Sequence, residues 1–110
     1  MSLLLDLDDV RLESGSTGLA VHGEVDFDVA TRLARAGSVW LDGQPDGTRV
    51  IFDLSAVIGV SSAALSVLLE WTRSARLAGM TLESVRLPVA LVRLTQLAGL
   101  DRLLPLDQAA

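Results

Sequence analysis

An alternation of strand and helix patterns from Leu19 onward limits, more than any other feature, how this chain can fold. Val50-Ile51-Phe52 is a short continuous apolar run, which is typical of a strand covered on both faces, and we expect it in the middle of a sheet. A loop through Asp53-Leu54-Ser55 follows, and Ser61-Ser62 then provide capping side chains for a helix that extends to about Ala78. Strands that alternate with helices in this way favour a mixed sheet with right-handed crossovers.

The remaining elements follow from hydrophobic spacing and from turn residues. Leu3, Leu5 and Leu7 alternate with other residues, which predicts a first strand that ends at the turn Ser14-Gly15-Ser16. The same rules predict a second strand from Leu19 to Glu24, a helix capped by Asp26 that opens at Phe27 and ends near Gly43, a strand from Met80 to Leu87, a helix from Pro88 to Gly99, and a docking segment from Leu100 to Leu106.

The length of 110 residues fits one domain, residues 1–110, with a frayed tail at 107–110. Half of the residues are hydrophobic and only 4% are aromatic, so we expect an aliphatic core. The predicted fold class is α/β, with a mixed β-sheet of about four to five strands and helices packed largely on one face.

Charge and cysteine content exclude several classes of partner. The formal net charge is −5, and the nine basic residues are scattered arginines, which argues against nucleic acid and anionic membranes as partners. No apolar run is long enough to span a bilayer, and MSLLLDLDDV carries acids where a signal peptide carries basic residues. With no cysteine to form disulfides, the cytoplasm is the expected compartment, without direct membrane insertion.

We predict no catalytic residues, no cofactor and no metal. His22 is the only histidine, and its place in the strand predicts an exposed side chain rather than a base or a zinc ligand. The acidic run Asp6, Asp8 and Asp9 is predicted to be solvated. The glycines form neither a dinucleotide-binding nor a P-loop pattern.

Three segments resemble a known family when taken together. Gly23-Glu24-Val25-Asp26 is similar to the family's signature after the second strand, Val50 to Ser55 is similar to its central strand, and Val60 to Leu69 is similar to its loop-to-helix segment. The family is STAS, the sulfate transporter and anti-sigma factor antagonist domains, and the resemblance extends from about Leu19 to Leu104. It implies the STAS fold and a non-enzymatic, protein-binding role.

The resemblance places the family's phosphorylatable serine or threonine at Ser62. The acid that precedes it in the family falls at Ser61, and the glycine of the pattern falls at Ala64, so two positions differ. A phosphate at Ser62 would lie at a helix start, where backbone N–H groups favour anions, and would add nearly two negative charges to a docking surface. The alternative is that Ser61 and Ser62 only cap the helix.

The helix after Ser62 predicts the docking surface. Leu65, Leu68, Leu69, Thr72 and Ala75 share one sector, which we expect to face the sheet. The other side is then expected to expose a strip of Ala63, Val67 and Trp71, and an exposed Trp is typical of interfaces; the alternative is that Trp71 folds over the sheet edge and covers the core. The predicted partner-binding residues are Ser61, Ser62, Ala63, Ser66, Val67, Glu70, Trp71 and Ser74.

Two branches of the family imply different partners. The segment from Leu68 to Arg76 and the segment from Val92 to Leu100 are more similar to the MlaB-like STAS subunits of lipid-transporting ABC complexes, which bind the ATPase subunit. The other branch, the anti-sigma factor antagonists, binds an anti-sigma factor kinase and is regulated at the position of Ser62. The sequence leaves open whether the domain also forms a homodimer.

Overall fold

The computed structural model describes residues 2–107, which form a five-stranded mixed sheet and three helices. The strands lie in the order in which they occur along the chain. The first three pair antiparallel and the last three pair parallel. Their bounds are β1 Ser2–Asp6, β2 Val10–Ser14, β3 Gly18–Glu24, β4 Arg49–Ile58 and β5 Thr81–Arg86. The predicted mixed sheet is confirmed.

The three helices are α1 Phe27–Asp42, α2 Ser62–Leu77 and α3 Val89–Leu97. Asp26 caps α1 by accepting a hydrogen bond from the N–H of Val29 at 3.1 Å, as its short acceptor side chain predicts. Pro88 is the N-cap residue of α3, one position before the helix. The helices cover one face of the sheet: α1 contacts β1, β2 and α2, while α2 contacts β5 and α3.

Two predictions about the strands are wrong. Leu3 and Leu5 belong to a strand that ends at Asp6, Leu7 lies in the turn after it, and a separate strand begins at Val10. Hydrogen bonds of 2.9 and 3.4 Å between the backbones of Leu7 and Val10 close the turn between them. Asp8 and Asp9 lie in this turn, and Asp favours turns, but the acidic pair was interpreted only as a solvated run because no Gly or Pro accompanies it.

The central strand is also longer than predicted. The segment Asp53-Leu54-Ser55, predicted as a loop, continues β4, which ends only at Ile58. Along β4, Val50, Phe52 and Leu54 are buried against the helices while Asp53 and Ser55 point to the other face. The strand is therefore covered on one side only. The polar residues of its open side gave this segment the composition of a loop, which is why the sequence predicted one.

The C-terminal segment returns to the sheet beside β5. Leu106 forms a parallel bridge with Val85, and the N–H of Asp107 donates to the carbonyl of Val85 at 2.8 Å. Arg86 also pairs with the Asp107 carboxylate at 3.2 Å. Asp107 was predicted to begin a frayed tail and is instead fixed by these contacts, while residues 108–110 lie outside the described residues. Among residues 2–107, none of the helices combines the length and apolarity that crossing a bilayer requires.

Candidate functional site at the start of helix α2

The start of α2 is capped by one serine and presents the next one to solvent. The Ser61 hydroxyl accepts a hydrogen bond from the N–H of Ala63 at 3.1 Å. Ser62 is exposed as the first helical residue, and Ser66 donates from its hydroxyl to the Ser62 carbonyl at 3.2 Å. The capping role predicted for this serine pair therefore belongs to Ser61, and the Ser62 side chain is accessible to a partner or an enzyme.

The expected exposed strip of Ala63, Val67 and Trp71 is wrong. These residues are 0%, 2% and 0% exposed, so the whole strip lies inside the fold. The physical reason is that α1 lies beside α2 on the same face of the sheet. Helix α2 therefore buries one sector against the sheet and a second against α1, and the sector assigned to solvent is the one that contacts α1.

Trp71 is fixed between the two helices. Its indole N–H donates to the carbonyl of Ala34 at 3.1 Å, and its ring lies 5.6 Å from that of Phe52. Ser74, also predicted to bind the partner, is half-buried and shares a 3.0 Å hydrogen bond with Ser38 of α1. These two side chains join α2 to α1, and a partner reaches neither of them as an open surface.

The surface that α2 does expose begins at Ser62 and continues through Ser66 and Glu70. Ser66 and Glu70 form one wall of a groove of about 460 Å³ between α1 and α2, and the opposite wall includes Thr31 and Arg35. Small side chains, among them Ala30 and Ala34, form much of the rest of the lining, which leaves space for side chains of a partner. Four of the predicted site residues, Ser61, Ser62, Ser66 and Glu70, thus lie on one accessible surface.

Sequence reasoning missed an apolar rim at this end of the molecule. Phe27, Ile58 and Val60 are 71%, 68% and 61% exposed. Ile58 pairs with Glu24 at the ends of the parallel strands β3 and β4, so Phe27, three residues after Glu24, lies at the same edge of the sheet as the loop that leads to Ser61. The signal in the sequence was the position of Phe27 directly after the cap Asp26 and of Val60 directly before the cap Ser61.

The described residues do not assemble a catalytic centre around Ser62. His22 is exposed, as predicted, and its Nε2 lies 3.3 Å from the Glu13 carboxylate. Both side chains belong to the open face of the sheet, where Arg11 and Ala20 are their strand partners, whereas α2 covers the other face. Within residues 2–107, no group of three or more His, Asp or Glu side chains is arranged to hold a metal ion.

Comparisons with known proteins agree with this architecture. The chain matches a solved structure described as the anti-sigma factor antagonist SpoIIAA in its unphosphorylated form, with a TM-score of 0.67 and 18% identity over 92% of this chain and 88% of that one. It also matches a crystal structure of an anti-sigma factor antagonist from Mycobacterium paratuberculosis, with a TM-score of 0.65 and 28% identity over 91% of this chain and 85% of that one. No curated protein sequence matches at a significant level.

A family match covers most of the described residues. Residues 9–105 match the family STAS_2, described as "Mlab, STAS domain". This range contains β2 to β5, all three helices and the whole surface around Ser62. The resemblance drawn from the three sequence segments is therefore confirmed, and the chain belongs to the STAS_2 family of STAS domains.

Proposed function

We propose that this protein is a non-catalytic, MlaB-like interaction subunit that binds and supports the cytoplasmic ATPase of an ABC transporter for phospholipids, one that maintains outer-membrane lipid asymmetry. The family description supports this branch, since the match is to the Mlab group of STAS domains. Ser61 supports it as well, because it stands where the resemblance to the antagonists implies an acid. In this role the chain acts as a single cytoplasmic domain that needs no cofactor.

The observation that carries the proposal is the apolar rim beside an accessible helix start. Three large apolar side chains exposed by more than half at one edge leave surface that a solitary domain gains nothing by exposing. Ser62, Ser66 and Glu70 continue from this rim along the exposed side of α2 with small and polar side chains. An apolar centre with a polar border is the usual composition of a protein interface. We call the surface of Phe27, Ile58, Val60, Ser62 and Ser66 the docking edge.

A matched pair of variants tests the docking edge. Ile58→Glu adds a charge to its apolar part, and we expect it to lower the affinity for the transporter ATPase by about tenfold or more, since a charge at an interface centre costs well over 1 kcal/mol. Val39→Glu is the control, because Val39 is equally exposed, at 67%, but lies twelve residues along α1 from Phe27, about 18 Å away.

The measurement is co-purification of the tagged chain with the ATPase subunit, followed by the rate of ATP hydrolysis of the complex. Wild type and Val39→Glu should co-purify and support turnover, whereas Ile58→Glu should do neither. Because the side chains of Ile58 and Val39 are both exposed, the two variants should unfold at the same temperature as wild type. A wild-type chain that does not bind the ATPase, or two variants that bind equally well, would refute the proposal.

A second function is favoured by the structural relatives, both described as anti-sigma factor antagonists. In that function Ser62, exposed at the first position of α2, accepts a phosphate that regulates binding to an anti-sigma factor kinase. Helix N-termini stabilise such an anion. Incubation with the kinase and ATP should then add one phosphate to wild type and none to Ser62→Ala. A wild-type chain that never gains phosphate excludes this alternative and leaves the transporter role standing.

A further inference from the structure

A second apolar groove lies at the other end of α2, away from the docking edge. Its walls are the C-terminal half of α2, with Leu69 and Leu77, and the segment that carries Leu103. Its volume is about 240 Å³, and the buried side chain of Leu104 contributes to its lining. Arg76 lies ten residues along α2 from Ser66, the last residue of the docking edge, which corresponds to about 15 Å. This groove is therefore a separate surface.

The walls of this groove expose more apolar area than a solvated surface requires. Leu77 and Leu103, on opposite walls, are 79% and 58% exposed. Apolar side chains that face each other across an open groove are typical of sites that receive the apolar side chains of a partner. An α-helix is the natural occupant, because one of its faces presents apolar residues at intervals of three and four positions to such a groove.

Charge identifies the chemistry of the occupant. Arg73 and Arg76 line the groove, and both are exposed. Within residues 2–107, neither guanidinium has a carboxylate within 4.0 Å, although the chain as a whole is acidic. Arg76 contacts the Leu103 carbonyl at 3.4 Å, which directs its side chain across the groove. The two arginines thus offer unpaired positive charge at the border of an apolar floor.

Acidic residues are also less frequent in the second half of the sequence, which contains the groove. Residues 1–53 contain ten acids and four arginines, whereas residues 54–110 contain four acids and five arginines. The groove belongs to the second part and has no acidic side chain in its lining. An acidic partner is therefore attracted to the two arginines of this groove.

We propose that the groove between α2 and Leu103 binds an acidic amphipathic helix of a partner protein, whose apolar residues enter between Leu77 and Leu103 while its carboxylates pair with Arg73 and Arg76. This goes beyond the proposed function, which uses only the docking edge. On α2 the lining runs from Leu69 to Leu77, which corresponds to about 12 Å, so a partner helix of about 14 residues, roughly 21 Å long, is long enough to span the groove.

The test uses two synthetic helical peptides of 14 residues with identical leucines at helical spacing. One peptide carries Glu at the flanking positions and the other carries Lys. Titration of the ¹⁵N-labelled chain followed by NMR should show that the Glu peptide shifts the backbone amides of Leu69, Arg73, Leu77 and Leu103, and that the Lys peptide binds at least about tenfold more weakly.

Charge reversal on the chain provides the matched control. The double variant Arg73→Glu with Arg76→Glu should lose at least about tenfold in affinity for the Glu peptide and should gain affinity for the Lys peptide. Both arginines are exposed, so the unfolding temperature should stay within a few degrees of that of wild type. Ile58→Glu should leave peptide binding unchanged, which separates this groove from the docking edge.

Three results would overturn the inference. The two peptides would bind alike if only apolar contact mattered, so equal affinities would exclude a preference for an acidic partner. Shifts confined to the groove between α1 and α2 would place the binding elsewhere. Anionic phospholipid vesicles that bind wild type but not the double variant, with no binding of the Glu peptide, would assign the arginines to a membrane surface instead.

Discussion

The indole of Trp71 lies directly against Gly37, so that a Cβ atom at Gly37 would come within 2.2 Å of the indole nitrogen. Gly37 is buried in the middle of α1, where a glycine costs helix stability relative to alanine. The absence of a side chain at Gly37 is what allows α1 to approach α2 over the ring of Trp71. This contact fixes which side of α2 is buried, and so which side is left for a partner.

Gly37→Ala should therefore destabilise the protein despite the higher helix propensity of alanine. Overpacking a core costs about 1–3 kcal/mol, which exceeds the gain of about 1 kcal/mol from replacing a helical glycine. We expect a lower denaturation midpoint in urea. Gly43→Ala is the control, since a Cβ there meets nothing closer than 3.5 Å and φ is −84°; if both variants lost stability equally, the close approach at Gly37 would not be the cause.

Trp71→Ala should lower the free energy of unfolding by about 3–5 kcal/mol, because a fully buried indole leaves a cavity between α1, α2 and Phe52. Any loss of partner binding in this variant should follow loss of folded protein. Thermal unfolding measured together with binding of the transporter ATPase tests this. If the variant kept its stability but lost partner binding, Trp71 would belong to the partner-binding surface and would not be buried in the core.

The sequence predicted the caps and the helix bounds more accurately than it predicted burial. Asp26 and Ser61 were identified correctly because capping depends on one side chain and a backbone N–H two or three residues away. The burial of Val67 and Trp71 depends on where α1 lies relative to α2, which hydrophobic spacing within a single helix does not encode. An apolar residue that contacts a neighbouring helix has the same spacing as one exposed for a partner.

The residues of the docking edge likewise divide into those that the sequence predicted and those that it did not. Ser62 and Ser66 were accessible to sequence reasoning through the family resemblance, and both are exposed. Phe27 and Ile58 lie at the same edge of the sheet because β3 and β4 are parallel and end there. They are 31 residues apart in the chain, so their proximity is a property of topology and not of local pattern.

Ser61→Ala should cost about 1 kcal/mol of stability, since it removes the hydrogen bond to the Ala63 N–H at the start of α2. Ser61→Asp should retain that bond and add a negative charge at the helix start, for a gain of about 0.3–1 kcal/mol over wild type. Chemical denaturation at low ionic strength measures both. Ser62→Ala is the control, expected within about 0.5 kcal/mol of wild type because its side chain is exposed. The capping assignment would be wrong if Ser62→Ala were the costlier of the two alanine variants.

A negative charge at Ser62 should separate binding from stability. In Ser62→Asp the carboxylate lies in the first turn of α2, where the helix dipole and unpaired N–H groups favour an anion, so the free energy of unfolding should stay constant or rise by about 0.3–1 kcal/mol. The same charge lies in the docking edge, where it opposes an apolar contact, and it should lower the affinity for the transporter ATPase by about tenfold or more. Ser62→Asn, of similar size and neutral, is the control and should bind as wild type does. Calorimetric binding and thermal unfolding of the three proteins decide the matter: if affinity and stability fell together in Ser62→Asp, the charge would be acting on the fold, and the start of α2 would no longer be the surface that meets the partner.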